Sequence, residues 1–400
     1  MRAEYDVIVV GAGPAGSTAA RIAAKECDVL LVEKRQEIGE PVRCAEGVPL
    51  VKTPSVFHES FAHYVKPDPK WIASEVRAFR CITPDGTAVT ISGEMLGVEE
   101  PLGLVLERKL FDRQLAKDAA RAGVDVVTHT RATGLIRDDS VVRGVRFKRR
   151  GDEFEVHSKL TIGADGVESQ VGRWGGINTT LRLKDIETCA QYHAANVEMP
   201  DDTLDFYFGS EAPSGYAWAF PKGDGSANIG LGVLGTKADA KKPIEYLKDF
   251  MKRHFPDGQP LELMVGGAPV SEGLATIVRD GLMLVGDAAR HTQPVTGGGV
   301  IPALEGGTIA GTVACKAVRQ NDVSTHVLRE YETAWNARFG KSNKRSYKIK
   351  EAIINLSDEE LNRIGRVFCD VRPEELNVRG LTKRLLKRDP RLMLMLRHLL

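Results

Sequence analysis

The feature that most constrains the fold of this chain is a glycine-rich turn between two apolar segments near its start. The stretch reads YDVIVVGAGPAGSTAARIAAKECDVLLVE, a pattern typical of a strand, a tight turn, a helix of small residues and a second strand. Gly11, Gly13 and Gly16 have the G-x-G-x-x-G spacing that lets a backbone turn sharply and approach a pyrophosphate. A helix that begins near Pro14 directs its unpaired N–H groups at those phosphates. Glu33 stands about 20 residues after Gly11, the distance typical of the acid that binds a ribose hydroxyl. The stretch therefore predicts a dinucleotide site.

The composition excludes several classes of protein. The 400 residues are 42% hydrophobic with a formal net charge of +1, so a globular chain is expected and no overall positive field favours nucleic acid. No apolar run reaches the roughly 18 residues of a membrane-spanning helix. The chain starts almost directly on its first strand, so we expect no signal peptide. The six cysteines are scattered without the spacing of a metal site. We predict a cytoplasmic protein with no metal and no nucleic-acid partner, and an isolated disulfide stays open.

Two further turns follow apolar strands later in the chain. One strand runs into a GADG turn at 163–166, and another, GLMLVGDAAR, runs into Gly286 and Asp287. A loop with three glycines and a long helix of small residues follow, with the helix expected to begin near Val300. The loops at the carboxyl ends of strands form the ligand side of open α/β sheets. These turns are therefore expected to face the same ligand as the first one.

Together, GAGPAG with Glu33, GADG at 163–166 and the Gly-Asp pair at 286–287 resemble the flavoprotein family typified by p-hydroxybenzoate hydroxylase. The resemblance implies FAD, with Asp287 on the ribityl chain and Arg108 on the phosphates. The helix N-terminus near Val300 would favour an anionic reduced flavin. A simple helix cap is the alternative for Asp287. The implied FAD-binding residues are Gly11, Gly13, Ala15, Gly16, Glu33, Lys34, Arg43, Cys44, Ala45, Gly47, Arg108, Ala132, Asp165, Gly286, Asp287, Gly298, Gly299 and Val300.

The implied fold class is α/β (α+β overall), with a Rossmann-like FAD-binding domain assembled from separated segments. A hairpin signal around Pro-Asp-Gly and a later run of short aromatic strands indicate a second, sheet-rich domain for the substrate. The last part of the chain is helical and charged. We assign residues 1–75, 100–175 and 276–325 to the FAD-binding domain, 76–99 and 176–275 to the substrate-binding (catalytic) domain, and 326–400 to a C-terminal helical region.

Within that family the sequence resembles the geranylgeranyl reductases, in particular the archaeal group that saturates digeranylgeranylglycerophospholipids. The resemblance rests on PSGYAWAFPKGDGSANIG at 213–230, with the pattern P-x-x-Y-x-W-x-F-P, and on PVRCAEG at 41–47. It implies FAD-dependent reduction of isolated C=C bonds in geranylgeranyl chains of a glycerophospholipid. The electron donor stays open between ferredoxin and NAD(P)H. An FAD-dependent monooxygenase and a non-catalytic prenyl-lipid escort are the rival functions.

Alternating aromatic residues are the candidate substrate site. Tyr216, Trp218 and Phe220 would lie on one face of an extended strand, which Pro221 is expected to end. Phe206 is expected to line the same apolar groove from a neighbouring strand. An ordinary hydrophobic core face is the alternative.

Saturating an isolated alkene needs a proton as well as a hydride, so the site needs an acid. Cys44 is the first candidate, because the resemblance places a cysteine beside the flavin, and His291 is the second. A buried structural thiol is the alternative for Cys44, and a capping or paired imidazole is the alternative for His291.

The C-terminal segment 379–400 is basic and rich in Leu and Met. Such a composition suits an interfacial helix on an anionic lipid surface. We therefore expect peripheral contact with the inner face of the cell membrane. A terminal helix packed on the body of the protein is the alternative.

Overall fold

The computed structural model describes residues 2–50, 60–239, 241–376, 378–390 and 392. Its strands belong to three sheets. The strands are β1 (Glu4–Val10), β2 (Val29–Val32), β3 (Gly47–Pro49), β4 (Ile72–Val76), β5 (Ala78–Ile82), β6 (Ala88–Ser92), β7 (Gly103–Leu106), β8 (Asp125–Val127), β9 (Arg131–Asp138), β10 (Val141–Arg149), β11 (Asp152–Gly163), β12 (Ile186–Ala195), β13 (Thr203–Tyr207), β14 (Ala217–Gly223), β15 (Ser226–Leu234), β16 (Gln259–Pro269), β17 (Val278–Arg279) and β18 (Leu282–Leu284).

The helices lie between these strands and after the last of them. They are α1 (Pro14–Ala23), α2 (Phe61–Tyr64), α3 (Gly93–Leu96), α4 (Arg108–Arg121), α5 (Gln170–Trp174), α6 (Pro243–His254), α7 (Val300–Gln320), α8 (Thr325–Trp335), α9 (Lys341–Ile353), α10 (Asp358–Phe368) and α11 (Val378–Arg388). A π-helical segment, Asn336–Gly340, joins α8 to α9.

The first sheet contains the predicted dinucleotide-binding unit. Its central strand β1 pairs in parallel with β2 on one side and β11 on the other, and the order of the main path is β17-β18-β11-β1-β2-β8. β1 and β2 are almost wholly buried because α1 and α7 cover them, which explains their continuous apolar sequences. The turns after β1, β11 and β18 lie at one edge of the sheet, since these strands are parallel. The predicted βαβ unit is confirmed.

The second sheet has seven strands in the order β16-β12-β15-β14-β13-β5-β6. The predicted hairpin is confirmed as the antiparallel pair β5 and β6. Helix α6 covers one face of the sheet with Leu247, Phe250 and Met251. Burial of each such side chain contributes roughly 1.5–3 kcal/mol. The opposite face carries the aromatic residues of β13 and β14, so the two faces have separate roles.

A third, small antiparallel sheet, β3-β7-β4, lies next to the second one. A side chain at Gly47 on β3 would collide with the ring of Phe220, at 2.9 Å, so the two sheets approach closely there. Buried aromatic residues, including Phe61, Trp71 and Phe111, pack between this sheet and the start of α7. The mixed α/β architecture and the C-terminal helices agree with the expected fold class, whereas the domain boundaries stay our assignment.

The C-terminal helices pack against the body of the protein. Ser357 caps α10 by accepting the N–H of Glu360 at 3.3 Å. On α11, Arg384 is buried and pairs with Asp370 and with Glu375. The alternative of a packed terminal helix therefore applies to part of the basic segment, while residues 391 and 393–400 lie outside the described residues. No helix in the described ranges has the length and apolar character needed to cross a membrane.

Helix α7 packs against α1 at unusually close range. A Cβ atom at Gly307 would lie 2.5 Å from the carbonyl oxygen of Ala15, and one at Gly311 would lie 2.7 Å from that of Ala19. Real Cβ atoms do not approach a carbonyl oxygen so closely, so only glycine permits this helix contact. The contact fixes the start of α7 against the turn after β1.

We predict that Gly311→Ala lowers the thermal stability of the protein. Helix propensity alone would stabilise this substitution by roughly 0.5–1 kcal/mol, so a loss of stability reports the steric contact. Differential scanning calorimetry measures the Tm. The control is Thr312→Ala, at the exposed neighbouring position, which should leave the Tm unchanged or raise it. A Gly311→Ala protein with a raised Tm would contradict the close packing.

Candidate active site

The turn after β1 forms a cradle of backbone. Gly11 has a φ of +109°, and a side chain there would overlap the carbonyl group of Ala164 in the turn after β11. A side chain at Gly16 would overlap the carbonyl oxygen of Gly11. At Gly13, by contrast, a Cβ atom would meet nothing within 4 Å. The first and third glycines are therefore required by the fold, while the second keeps space open at the N-terminus of α1.

A cavity of about 240 Å³, which we call the nucleotide cavity, opens over this turn. Glu33 lies in its wall and accepts the N–H groups of Ala12 at 3.0 Å and Arg35 at 2.9 Å. The lining contains four basic and four acidic side chains, and the basic ones could pair with a diphosphate. The charged residues of the lining are Glu33, Lys34, Arg35, Arg43, Arg131, Asp165, Glu168 and Asp287.

Two buried acids stand at the inner end of the nucleotide cavity. Asp165 accepts the N–H of Val171 at 2.9 Å through one oxygen, while its other oxygen has no partner among the described residues. Asp287 accepts the hydroxyl of Thr292 at 2.8 Å. Burial raises the pKa of both carboxyl groups. An unpartnered buried oxygen is costly, so a ligand hydroxyl would satisfy the oxygen of Asp165.

The start of α7 also leaves donors available. Gly299 is its N-cap and, lacking a side chain, satisfies none of the first N–H groups. A Cβ atom at Gly299 would lie 3.3 Å from an oxygen of Asp287, so the helix start and the buried acid are adjacent. The expected helix start near Val300 is confirmed. The backbone cradle, the basic side chains of the lining, the unpartnered oxygen of Asp165 and the N–H groups at the start of α7 together fit FAD.

The loop that carries Cys44 lies between the first two sheets. The Cys44 sulfur accepts the N–H of Glu46 at 3.2 Å. Arg108 begins α4, and its side chain makes two hydrogen bonds to Asp112, at 2.8 Å and 2.9 Å. Arg108 is absent from the described lining of the nucleotide cavity. Its contact with FAD phosphates stays a prediction.

Glu46 is a functional candidate that the sequence analysis missed. Its carboxylate accepts the Lys222 ammonium group at 2.6 Å, the Asn228 amide at 2.6 Å and the N–H of Arg108 at 2.7 Å. Both Glu46 and Lys222 are almost fully buried. This network ties the Cys44 loop to the second sheet. The partners are far apart in sequence, so no local pattern could have revealed it.

The aromatic residues form one continuous stack. The ring of Phe206 lies 5.7 Å from Tyr216 and 5.3 Å from Phe220, and Trp218 lies between the latter two. Phe208 continues the stack at 6.0 Å from Tyr216. The predicted common face of these residues is therefore confirmed as geometry, while their role in binding substrate stays a prediction.

Pro221 was expected to end the strand, and this was wrong. β14 continues to Gly223, with a register shift between the two residues. Proline is tolerated there because the irregular pairing needs no N–H from it. The carbonyl of Pro221 accepts the hydroxyl of Ser74 at 2.6 Å instead.

Gln191 connects the aromatic stack to the Cys44 loop. Its amide oxygen accepts the indole N–H of Trp218 at 2.7 Å, and its amide nitrogen donates to the carbonyl of Cys44 at 3.1 Å. The hydroxyl of Tyr216 donates to the carbonyl of Thr296, in the loop before α7. The stack is therefore fastened at both ends to the segments that would surround a flavin ring.

A second cavity, of about 400 Å³, opens beside Tyr216 and Phe208, and we call it the aromatic cavity. Its far wall comes from the C-terminal helices, including Ile353, Ile354 and Leu361. The sequence analysis did not assign this wall, because helical periodicity shows which face is apolar and not what it covers. The cavity also holds Glu187, a nearly buried acid.

His291 has surroundings that disfavour a catalytic role. It is 1% exposed and stacks on Trp335 with ring centroids 3.5 Å apart. Burial lowers its pKa to about 3, so the imidazole is neutral at physiological pH. Neither described cavity includes it in its lining. The alternative of a packed, structural histidine describes these surroundings better.

The predicted FAD-binding residues fall into four places around one edge of the first sheet. The nucleotide cavity is lined by Gly11, Gly13, Glu33, Lys34, Arg43, Ala132, Asp165 and Asp287. Close packing behind it involves Ala15, Gly16 and Gly286, and the adjoining loop and its neighbours contain Cys44, Ala45, Gly47 and Arg108. The start of α7 contains Gly298, Gly299 and Val300. Arg35 and Arg131 were missed, since a lone arginine in a loop carries no pattern. Among the described residues, no cluster of three or more possible ligands could hold a metal ion.

Known proteins share these features. A family model for FAD dependent oxidoreductases matches residues 6–213, and one for the geranylgeranyl reductase catalytic domain matches residues 185–268. Digeranylgeranylglycerophospholipid reductase 2 of Methanococcoides burtonii is 48% identical over 98% of this chain and 95% of its own length. The corresponding reductase of Methanocella arvoryzae is 49% identical over 98% of both chains. This chain belongs to the digeranylgeranylglycerophospholipid reductase family. The expected family and the FAD cofactor are confirmed.

Solved structures agree with this membership. A geranylgeranyl bacteriochlorophyll reductase-like protein of Thermoplasma acidophilum matches the reductase with a TM-score of 0.90 and 37% identity over 99% of both chains. The p-nitrophenol 4-monooxygenase PnpA of Pseudomonas putida matches with a TM-score of 0.72 at 15% identity, over 96% of this chain and 98% of its own, and so shares the fold alone.

We predict that Gly13→Val leaves the reductase folded but unable to hold FAD. The Cβ atom of the added side chain meets no protein atom within 4 Å. The free energy of unfolding of the apoprotein should therefore change by less than roughly 0.5 kcal/mol. FAD affinity should fall by more than about tenfold, which equals 1.4 kcal/mol. Flavin absorbance and isothermal titration measure both effects. Gly16→Val serves as the contrast, since it should destabilise the apoprotein as well; full FAD content in Gly13→Val would refute the cradle.

Proposed function

We propose that the protein saturates isolated C=C bonds in the geranylgeranyl chains of a glycerophospholipid. The observation that carries the proposal is the aromatic stack, which leads from the Cys44 loop to the aromatic cavity. A row of aromatic side chains that begins beside the Cys44 loop would pack well against a flexible prenyl chain.

The bound FAD supplies hydride chemistry when reduced. An isolated alkene has no carbonyl to accept charge, so the side chains around it must limit cationic character. The ring faces of Tyr216 and Trp218 can contribute roughly 0.5–2 kcal/mol of cation–π attraction to such a centre. Their packing also excludes water that would capture it. Cys44, at the head of the stack, is our proposed proton donor to the substrate carbon.

The experiment that tests this function is anaerobic incubation of the dithionite-reduced holoprotein with a digeranylgeranyl glycerophospholipid. Mass spectrometry should show a gain of two hydrogen atoms for each double bond reduced. Dithionite bypasses the physiological donor, for which we propose either ferredoxin or NAD(P)H. A lipid of unchanged mass would overturn the proposed function, and substrate-dependent oxygen uptake in air would favour a monooxygenase.

We predict that Cys44→Ala binds FAD normally and loses most of its reductase activity. Removal of a proton donor typically costs on the order of 10²–10⁴-fold in rate. The assay is the lipid mass measurement at neutral pH, with FAD content measured on the same sample. Cys369→Ala, at an exposed cysteine of α10's C-terminal end, is the matched control and should keep full activity. Full activity in Cys44→Ala would remove this residue from the mechanism.

We further propose that α11 contributes to a peripheral membrane contact. Lys383, Lys387 and Leu386 are exposed on this helix, whereas Arg384 and Arg388 are occupied by Asp370. Each exposed basic residue near an anionic surface contributes about 1 kcal/mol. The paired arginines hold the helix in place and leave the lysines available to lipid headgroups.

We expect Lys383→Glu/Lys387→Glu to bind anionic liposomes more weakly than the unchanged protein. Two charge reversals should lower the partition constant by more than about tenfold at low salt. Co-sedimentation with phosphatidylglycerol vesicles measures binding, and phosphatidylcholine vesicles control for charge. Lys148→Glu, on the hairpin of β10, is the control variant. Equal sedimentation of all three proteins would refute the contact.

A further inference from the structure

Every reduced double bond consumes one proton at a site that the aromatic stack shields from water. A thiol that gives its proton away must be reprotonated before the next double bond reacts. Cys44 and its hydrogen-bonding partners Glu46 and Gln191 are absent from the described lining of the aromatic cavity, whereas Tyr216 is part of it. The structure therefore needs a group that connects this cavity with the Cys44 loop.

Glu187 has the position of such a group. It lies on β12, where Glu187, Cys189 and Gln191 follow one another at alternate positions and so share a face. Gln191 reaches Cys44 through its hydrogen bond to the Cys44 carbonyl, at 3.1 Å. A Cβ atom at Gly232 would lie 2.6 Å from a carboxylate oxygen of Glu187 and 3.4 Å from the sulfur of Cys189. The carboxylate of Glu187 and the thiol of Cys189 therefore both lie next to Gly232.

The carboxyl group of Glu187 has no structural use that the described residues reveal. It is 7% exposed, and its carboxylate takes part in none of the hydrogen bonds or ion pairs among the described residues; its oxygens are not among the fully buried atoms without a partner, so they face the cavity. The charge of Lys350 acts on Glu187, but the Lys350 ammonium group donates its hydrogen bonds to the carbonyls of Lys184 and Val270. A carboxyl group that faces a cavity and has few protein partners can exchange its proton with water held there.

The ionisable groups around Glu187 differ in how readily they release a proton. Burial raises the pKa of Glu187 to about 7, and the charge of Lys350 on α9 opposes that rise. Burial also raises the pKa of Cys189 and of Tyr216, both far above neutrality. The other charged groups that face this cavity are Lys237 and Asp358, in its lining. Glu187 is therefore the acid of this cluster that can both hold and release a proton near pH 7.

We propose that Glu187 is the proton-entry residue of the active site. It takes a proton from water in the aromatic cavity and passes it, through the thiol of Cys189, to the Cys44 thiolate that remains after each reduction. In balance, the Cys44 S–H bond breaks as the substrate C–H bond forms, the reduced flavin supplies the hydride and is oxidised, and the Glu187 O–H proton restores the Cys44 S–H. The Glu187 carboxylate then regains its proton from water. The inference rests on the proposed lipid-reducing function.

The test compares Glu187→Gln with the unchanged holoprotein in two kinetic regimes. In a single turnover, with one equivalent of reduced flavin and excess lipid, the first double bond should be reduced at a rate within about twofold of the unchanged protein, since the Cys44 thiol is already loaded. With continuous dithionite, turnover of the variant should fall on the order of 10²-fold. Glu187→Asp should recover part of this loss.

The pH dependence supplies an independent measure. Multiple-turnover activity of the unchanged protein should fall as pH rises through about 7, because the ionised Glu187 has no proton to give, and this limb should vanish in Glu187→Gln. A readout without turnover is the Tm of the holoprotein. Above pH 7 the unchanged protein keeps a buried carboxylate, so Glu187→Gln should melt higher, and the difference should close below the ordinary glutamate pKa.

Glu155→Gln, at an exposed β11 residue paired with Arg146, is the matched control and should change none of these measures. Two outcomes would overturn the inference: continuous turnover of Glu187→Gln at the unchanged rate, or an equal loss of its single-turnover rate, which would make Glu187 a structural residue or the direct donor. A failure of the unchanged protein to reduce the lipid would instead overturn the proposed function.

Discussion

One buried carboxylate holds the active-site segments of this reductase together. Glu46 accepts hydrogen bonds from the start of α4, from Lys222 on β14 and from Asn228 on β15, so it joins α4 to the second sheet. Loss of one partner of a buried ion pair typically costs 3–5 kcal/mol, roughly, because the other charge remains buried. The position of Cys44, two residues earlier, depends on this network.

Sequence patterns revealed the parts of the site that depend on local geometry. The spacing of Gly11, Gly13 and Gly16 predicted a cradle because Gly11 and Gly16 allow close backbone contacts at the turn after β1, while Gly13 leaves the space above the turn open. The alternation of Tyr216, Trp218 and Phe220 predicted a common face because a strand repeats every two residues. The resemblance also implied Arg108 as a phosphate ligand, which stays a prediction, and its side chain pairs with Asp112 four residues on, a helical pair that the sequence already contained.

What the sequence could not reveal depends on contacts between distant segments. Lys222 forms an ion pair with Glu46 although the two residues are far apart in the sequence, and no periodicity relates them. Glu187 looks like an ordinary strand residue until Gly215, Gly232 and the C-terminal helices close around it. The surroundings of His291 were hidden for the same reason, because Trp335 and Gly306 enclose it from elsewhere in the chain. Burial depends on the assembled fold, and the pKa of a buried group depends on its burial.

The proposed arrangement separates the source of the hydride from the source of the proton, both of which an enzyme that saturates a double bond needs. The nucleotide cavity and the start of α7 lie on one side of the Cys44 loop, where a hydride source binds. The aromatic cavity is lined by Phe208, Tyr216 and Glu187, and there we propose that the prenyl chain enters and that Glu187 exchanges its proton with water. Proton and hydride can then reach one alkene from different directions, which limits direct reaction of a reduced flavin with a nearby acid. The C-terminal helices take part in this arrangement, since Ile353, Ile354 and Leu361 supply an apolar part of the wall of the aromatic cavity opposite Tyr216.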